Sequence, residues 1–246
     1  MCFLLMRFLC YLMILLSDEI LHYHDLMFWT AAVSITLFIA LFSLTQLWKK
    51  ATLEAEQKSA AYYWIVYLIL MSTAHFISVI NRNFNNFNTQ VDLVTVIIVD
   101  IAIFAQIYYV ERRIKVYKYP IFIILQISVT IAHIFINNRS NEIWSIILII
   151  LMVITYLFLP LIYLYIAIKS SGPIRAQTFK MAIALITLGL GSTMQSHNVA
   201  SFYPELVLNF ESATGIAWVI IPTSLTLIGV LLIFSEYLMK FINQNN

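Results

Sequence analysis

Residues 91–110 read VDLVTVIIVDIAIFAQIYYV, an apolar stretch interrupted only by Asp92, Thr95, Asp100 and Gln106. A hydrocarbon core of roughly 30 Å requires about 20 helical residues, so this stretch has the length of one membrane crossing. Polar and apolar residues do not alternate along it, which favours an α-helix over a strand of a membrane barrel. The stretch therefore predicts a transmembrane helix with an acid, Asp100, near its middle.

Six other stretches have the same character. The predicted spans are residues 27–48, 62–80, 91–110, 119–136, 143–168, 179–195 and 216–239. Hydrophobic residues make up 62% of the 246-residue chain and charged residues 11%, which is more apolar than a soluble domain of this length. The sequence thus predicts an all-α fold. We expect a polytopic membrane protein with a seven-transmembrane-helix bundle over residues 27–239, a multi-pass protein in the lipid bilayer of the cell membrane.

The basic residues are distributed unequally between the predicted loops. Eleven of the fourteen Lys and Arg residues lie in the first, third and fifth loops, their flanks and the tail. Only Arg82 and Arg139 lie in the second, fourth and sixth loops. Basic residues near short loops mark the cytoplasmic side. We therefore expect the N-terminus outside and the C-terminus in the cytoplasm, where residues 240–246 form a short tail.

Residues 1–26 precede the first span as an apolar N-terminal segment, 1–16, and an external lead-in. The apolar segment is too short for a comfortable span, and acidic residues follow it. Two interpretations stay open. It is a signal-like segment that starts inside and delivers the acidic stretch outside, or the gene start is over-extended and Met13 or Met27 is the first residue.

Ionisable side chains inside the predicted spans are the main indication of function, because each is unfavourable in lipid without a partner or water. Asp100 lies nine residues into the third span, about 13 Å deep at 1.5 Å per residue and near the bilayer midplane. His75 and His133 lie roughly 8 Å and 5 Å from the outer ends of the second and fourth spans. An acid and two imidazoles are thus expected in one half of the membrane.

Helical spacing adds polar residues to the same faces. Gln126, Thr130 and His133 recur at i, i+4 and i+7 and form one polar stripe on the fourth span. Asp92 precedes Asp100 by eight residues on the third span, about 80° around the helix. We expect these groups to form an outward-opening polar pocket; the alternative is that they only fix helix packing. The expected ligand-binding residues are Asp100 at the floor, His75 and His133 on the walls, and Gln126, Thr130 and Asp92.

Several chemistries are not indicated. The two histidines and Asp100 come from separate spans without paired spacing such as His-x-x-x-His, so we predict no metal site and no other cofactor. The two cysteines, Cys2 and Cys10, lie outside the bundle. No span carries the deep Lys that a retinal Schiff base requires. Topology explains the basic residues, and the net charge is only +2, so nucleic acid is not an expected partner.

The loop between the fifth and sixth spans reads Gly172-Pro-Ile-Arg175-Ala-Gln177-Thr-Phe-Lys180 and precedes a glycine-containing span. With an outside N-terminus, seven spans and very short loops, this pattern resembles the seven-helix sensor modules that precede histidine kinases and related signalling outputs in prokaryotes. The resemblance covers most of the chain as topology and carries over no ligand site. Since the chain ends at Asn246 without a kinase part, it implies a stand-alone module that signals through a cytoplasmic or membrane partner.

Three functions fit these observations. The first is a receptor-like or sensor-like module with an unknown small ligand or ion. The second is a small transporter or ion- or proton-conducting protein that uses Asp100 and the intramembrane histidines. The third, a membrane-embedded metal-dependent enzyme, lacks a recognisable catalytic arrangement. A pocket closed towards the cytoplasm favours sensing, whereas polar continuity past Gln106 favours conduction.

Overall fold

The computed structural model describes residues 20–49, 55–84, 88–114, 120–135, 142–195, 209–210, 212–214 and 218–238. Over these ranges the regular secondary structure is entirely helical, with no strand, so the prediction of an all-α fold is confirmed. The helices are α1 (Ile20–Lys49), α2 (Ala55–Phe84), α3 (Thr89–Ile114), α4 (Ile121–Phe135), α5 (Glu142–Lys169), α6 (Gly172–Gln195) and α7 (Ile220–Ile233). A π-helical turn, Phe234–Leu238, continues α7.

The predicted spans overlap these helices: α1, α2, α3 and α5 extend past the predicted limits at both ends, α6 begins at Gly172 instead of residue 179, and α4 and α7 are shorter than the predicted spans. The extensions occur because hydropathy marks only the part of a helix that suits hydrocarbon, while the helix itself continues through the polar interface. The predicted apolar segment 1–16, the tail 240–246 and most of the connection 196–215 lie outside the described residues.

Three helical segments are long and apolar enough to cross a membrane, namely Leu26–Trp48, Lys58–Phe84 and Thr89–Arg112. Three shorter apolar segments accompany them, namely Ile121–Phe135, Val153–Lys169 and Ile220–Glu236. These lengths and compositions are compatible with a membrane protein. The count of seven spans and their orientation stay predictions.

The helices form a closed ring of contacts, in which most helices pack against their neighbours along the chain. Contacts join α1 to α2, α2 to α3, α3 to α4, α5 to α6 and α6 to α7, and α7 returns to α1. Helix α5 also contacts both α3 and α4. The apolar core includes Trp64, Leu68, Ile103, Ile107 and Leu185. Side chains from α2, α3 and α6 therefore meet in the middle of the bundle.

The distribution of polarity is the reverse of that in a soluble protein. Large apolar side chains such as Phe38, Ile124 and Leu190 are exposed on the outside of the bundle. Meanwhile Asp100 and His133 are buried inside it. A surface of this kind suits a lipid environment, and it leaves polar contacts to set how the helices are oriented.

Helix α4 shows this combination of exposed apolar and buried polar side chains most clearly. Its buried residues are Gln126, Val129 and His133, and most of its other side chains are exposed and apolar. At its N-terminus the carboxylate of Glu111, on α3, accepts hydrogen bonds from the backbone N–H groups of Phe122 and Ile123 at 3.2 and 3.0 Å. Those N–H groups have no intrahelical acceptor, so Glu111 caps α4 and fixes it against the end of α3.

The junction of α2 and α3 is held by two asparagines. The side chain of Asn81 donates to the carbonyl of Asn88 and accepts from its N–H, both at 2.9 Å. The Asn88 carboxamide oxygen in turn accepts from the N–H of Gln90 at 2.9 Å, as an N-cap residue does. These bonds set where α3 begins, and so where Asp92 lies in its first turn.

Helices α6 and α7 pack unusually closely at two glycines. A Cβ on Gly229 would lie 2.7 Å from the Leu188 Cβ and 2.8 Å from the Ala184 carbonyl oxygen. A Cβ on Gly191 would lie 2.6 Å from the Pro222 carbonyl oxygen. Only glycine permits these approaches, so the two helices form one unit.

Candidate functional site

Helix α3 supplies the acid of the site. Asp92, Thr95, Val99 and Asp100 follow one another at spacings that keep them on one side of the helix, and all four line the same cavity. Asp92 is partly exposed in the first turn, whereas Asp100 is only 1% exposed. The acidic face therefore runs from the end of the helix to its buried middle.

Asp100 is bound by two side chains from α4. The Nδ1 atom of His133 lies 2.8 Å from Asp100 Oδ2, and the Gln126 Nε2 donates to Asp100 Oδ1 at 3.3 Å. One proton therefore lies between His133 Nδ1 and Asp100 Oδ2 in this contact. Asp100 thus fixes the orientation of the His133 ring and leaves Nε2 as its second functional atom.

His75 has different partners. Its Nδ1 lies 2.6 Å from the carbonyl oxygen of Met71, one turn earlier on α2, and so carries the proton that is donated there. Its Nε2 lies 3.0 Å from Ser192 Oγ, and it accepts the hydroxyl proton in the neutral ring. The indole of Trp29 stacks on the imidazole with ring centroids 5.2 Å apart. His75 therefore links α1, α2 and α6.

One cavity joins the two groups. It has a volume of about 50 Å³, and His75, Asp100 and His133 are all among its lining residues. Its remaining lining residues are Ala74, Ser78, Asp92, Thr95, Val96, Val99, Thr155, Tyr156 and Ser192. The structure thus brings the predicted acid and both predicted histidines to one cavity.

Two polar atoms of the lining lack a hydrogen-bond partner in the described part of the chain. They are the Nε2 of His133 and the Oγ1 of Thr155. These residues are 2% and 1% exposed, and both line the cavity. Both atoms are themselves buried and do not border the open space of the cavity, so each is an unsatisfied polar atom within the helix packing.

The other predicted site residues have distinct positions. Asp92 lines the cavity from the first turn of α3. Gln126 contacts Asp100 but does not line the cavity, and Thr130 donates its hydroxyl proton to the carbonyl oxygen of Gln126 at 3.0 Å. Gln126 therefore binds the Asp100 carboxyl group without lining the cavity itself, and Thr130 makes a local hydrogen bond within α4.

Five polar lining residues were not among the predicted ligand-binding residues, namely Thr155, Tyr156, Ser192, Ser78 and Thr95. Thr155 and Tyr156 come from α5, and the Tyr156 hydroxyl is hydrogen-bonded to Ser192. A signal for the first two exists in the sequence, since they form an adjacent polar pair inside the long apolar run of α5. Ser192 contacts His75 because the close approach of α6 and α7 at Gly191 fixes this part of α6.

The cavity ends near Asp100. Past Asp100 on α3, the side chains of Ile103 and Ile107 belong to the apolar core with Trp64 and Leu68. Gln106 is not among the lining residues, although it is completely buried. Towards this end of the helices the described side chains thus form an apolar floor.

No three His, Cys, Asp or Glu side chains of the described ranges are grouped as a metal site would require. The family models, curated proteins and solved structures compared with this chain give no match. Function is therefore inferred from the geometry of the pocket.

Proposed function

We propose that the protein is a receptor-like or sensor-like module of the cell membrane, with a small polar pocket that opens to the outside. In this proposal the seven helices are seven spans, the N-terminus is outside and the C-terminus is cytoplasmic. The resemblance of the predicted topology and of residues 172–180, which form the start of α6, to seven-helix sensor modules supports the proposal. The protein would then transmit the state of the pocket to a cytoplasmic or membrane partner.

One observation carries the proposal: polar side chains of α3 from Asp92 to Asp100 line the cavity beside apolar ones, and beyond Asp100 the side chains of Ile103 and Ile107 belong to the apolar core. A pathway for ions requires polar groups or water through the whole bundle. A receptor requires access from one side only. Because polar residues line the cavity at one end of the bundle only, the cavity favours ligand binding over the passage of ions.

Single cysteines test this access. In a chain whose Cys2 and Cys10 are replaced by Ser, Ser78→Cys places a thiol in the cavity lining, and Arg175→Cys places one on the exposed start of α6. A membrane-impermeant thiol reagent added to intact cells should label the first variant and leave the second unlabelled until the cells are opened. Labelling in the reverse order contradicts the orientation and the outward-facing pocket.

Flux measurements separate sensing from transport. The protein reconstituted in vesicles with an internal pH-sensitive dye should pass protons no faster than empty vesicles do. Sodium and potassium gradients should be equally stable with and without the protein. Protein-dependent flux that Asp100→Asn abolishes would replace the receptor proposal with the transporter.

The transporter stays a second candidate because of Gln106. This side chain is 0% exposed, and neither atom of its amide has a hydrogen-bond partner among the described residues. It lies six residues beyond Asp100 on α3, about 9 Å further along the helix axis. A polar group at that depth is what a continuing pathway would use, and Gln106→Leu would then reduce flux.

A further inference from the structure

Ser192 and His75 form a pair of side chains whose chemistry the proposed function does not use. The Ser192 hydroxyl lies 3.0 Å from His75 Nε2 and donates its proton there in the neutral ring. The other ring nitrogen, Nδ1, lies 2.6 Å from the Met71 carbonyl oxygen, which can only accept. The backbone therefore fixes the tautomer in which Nε2 accepts, and the imidazole is oriented as a base towards one hydroxyl.

A third side chain, Tyr156 of α5, binds the same serine. Its hydroxyl is hydrogen-bonded to Ser192. Because the single hydroxyl proton of Ser192 faces His75, Tyr156 is the donor in this bond. Covalent acyl transfer is built from a nucleophile, a base that is held by a further group, and a hydrogen-bond donor for the oxyanion. Here α6, α2 and α5 supply one of these parts each.

The three side chains line the cavity described above. Ser192 and His75 each remain 6% exposed. A volume of about 50 Å³ accommodates roughly three to five water-sized groups. Ala74, Val96 and Val99 give the cavity an apolar wall, against which a methyl group can pack. The space therefore fits a short acyl group, such as acetyl, together with a water molecule.

From this arrangement we infer that the protein has a second activity, the hydrolysis of short-chain acyl esters through an acyl-Ser192 intermediate. Ser192 is the nucleophile, His75 is the general base and acid, and Tyr156 is the donor to the oxyanion. The inference goes beyond the proposed receptor function and is independent of it, because ester hydrolysis does not require signal transmission.

The reaction balances with water as the only co-reactant. Ser192 Oγ bonds to the acyl carbon while its proton moves to His75 Nε2. The bond from that carbon to the alcohol oxygen breaks, and the alcohol leaves with the proton from Nε2. Water then bonds to the acyl carbon and gives a proton to Nε2, and the bond to Ser192 Oγ breaks as this proton returns to the serine. In both halves the Tyr156 hydroxyl donates to the oxygen on which negative charge develops.

Trp29 favours the charge that His75 acquires in each half of the reaction. The indole of Trp29 stacks on the imidazole, with ring centroids 5.2 Å apart and 27° between the ring planes. The negative face of an aromatic ring attracts a cation within about 6 Å. Trp29 therefore supports the imidazolium that forms when His75 takes the Ser192 proton.

The test is covalent labelling of the purified full chain in detergent micelles. Methanesulfonyl fluoride is the probe, because it is small and sulfonylates a serine whose proton a base removes, with fluoride as the leaving group. Digestion and mass spectrometry map the adduct, which we expect on Ser192. Since the unaltered chain is used, this result does not depend on the folding of a variant.

Three variants measure the separate roles. His75→Gln should slow the labelling of Ser192 at least about a hundredfold, the lower end of what a general base contributes. Tyr156→Phe keeps the ring and should lower the rate of phenyl acetate hydrolysis about a hundredfold, because an oxyanion donor is lost. Thr193→Ala is the matched control and should be labelled at the unaltered rate. The Thr193 hydroxyl bonds to the carbonyl oxygen of Gly189 at 2.8 Å instead of to an imidazole.

An adduct on another side chain, or no adduct on the folded chain, overturns the inference. So does labelling that His75→Gln leaves unchanged, since Ser192 would then react without its base. None of these results affects the one-sided thiol labelling that tests the receptor proposal. An adduct on Ser192 together with two-sided labelling of Ser78→Cys would leave the esterase activity in place and remove the receptor proposal.

Discussion

The bond between Asp100 and His133 should be visible as an energetic coupling. We consider Asp100→Leu and His133→Phe, singly and together. Asp100→Leu leaves the His133 Nδ1 and Gln126 Nε2 donors buried without their acceptor, and His133→Phe leaves one carboxylate oxygen unpaired. The double variant removes both partners. It should therefore lose less stability than the sum of the two single variants.

The size of the coupling follows from the environment. In soluble proteins, breaking a buried ion pair costs about 3–5 kcal/mol. In membranes the unfolded helices also find hydrogen-bond partners, and measured couplings between helices average about 0.6 kcal/mol with a maximum near 1.7. The contact of 2.8 Å between two side chains that are each 1% exposed is short, buried and charge-assisted. We therefore expect about 1.5 kcal/mol, near the top of the membrane range.

The assay is equilibrium unfolding in mixed micelles of a mild detergent and dodecyl sulfate, followed by circular dichroism. A second cycle with His75→Phe and Asp100→Leu is the matched control, because His75 lines the same cavity but bonds to Met71 and Ser192 instead. Its coupling should stay below about 0.5 kcal/mol. Equal couplings in the two cycles, or strict additivity in the first, would refute the assignment of His133 as the partner of Asp100.

Three further predictions concern a packing contact, a helix cap and an ion pair. Gly191→Ala should destabilise the protein by about 1–3 kcal/mol through overpacking. Gly189→Ala is the control, because its Cβ would come no closer than 3.4 Å to Tyr156, and it should fold almost normally in the same assay. Equal effects of the two variants would contradict the tight contact of α6 with α7. Glu111→Ala should lower the free energy of unfolding by about 1 kcal/mol, because it removes the cap of α4. It should also speed hydrogen exchange of the first backbone amides of α4. Unchanged exchange at these amides would show that Glu111 does not cap the helix. Lys180→Met should cost less than about 1 kcal/mol, because Lys180 is 56% exposed where it contacts Glu236 at 2.7 Å; a larger loss would show that this contact is more than a surface ion pair.

The position of the site on individual helices could be predicted from the sequence. The spacing of Gln126 and His133 predicted one polar face on α4, and these are two of its three buried residues. The physical reason is strong, since an ionisable group on an apolar helix must face the interior of the bundle. The depth of Asp100 predicted a buried acid by the same argument. Whether these residues bind a ligand stays a prediction.

The partners of these side chains could not be predicted. Ser192 lies 117 positions from His75, so their contact depends on the order and rotation of the helices around the bundle. The sequence predicted His75 and His133 as equivalent walls, yet only His133 bonds to Asp100. Pairing of this kind is decided by helix rotation and by close contacts such as the one at Gly191, which a single sequence does not encode in any local pattern.

The pocket and the attachment of α4 depend on the same bonds. Apart from Val129, the buried side chains of α4 are Gln126 and His133, and both bond to Asp100. Apolar packing in lipid gives α4 little preference for the bundle, because its apolar side chains are satisfied equally well by acyl chains. The hydrogen bonds of Gln126 and His133 to Asp100 therefore do much to hold α4 against α3.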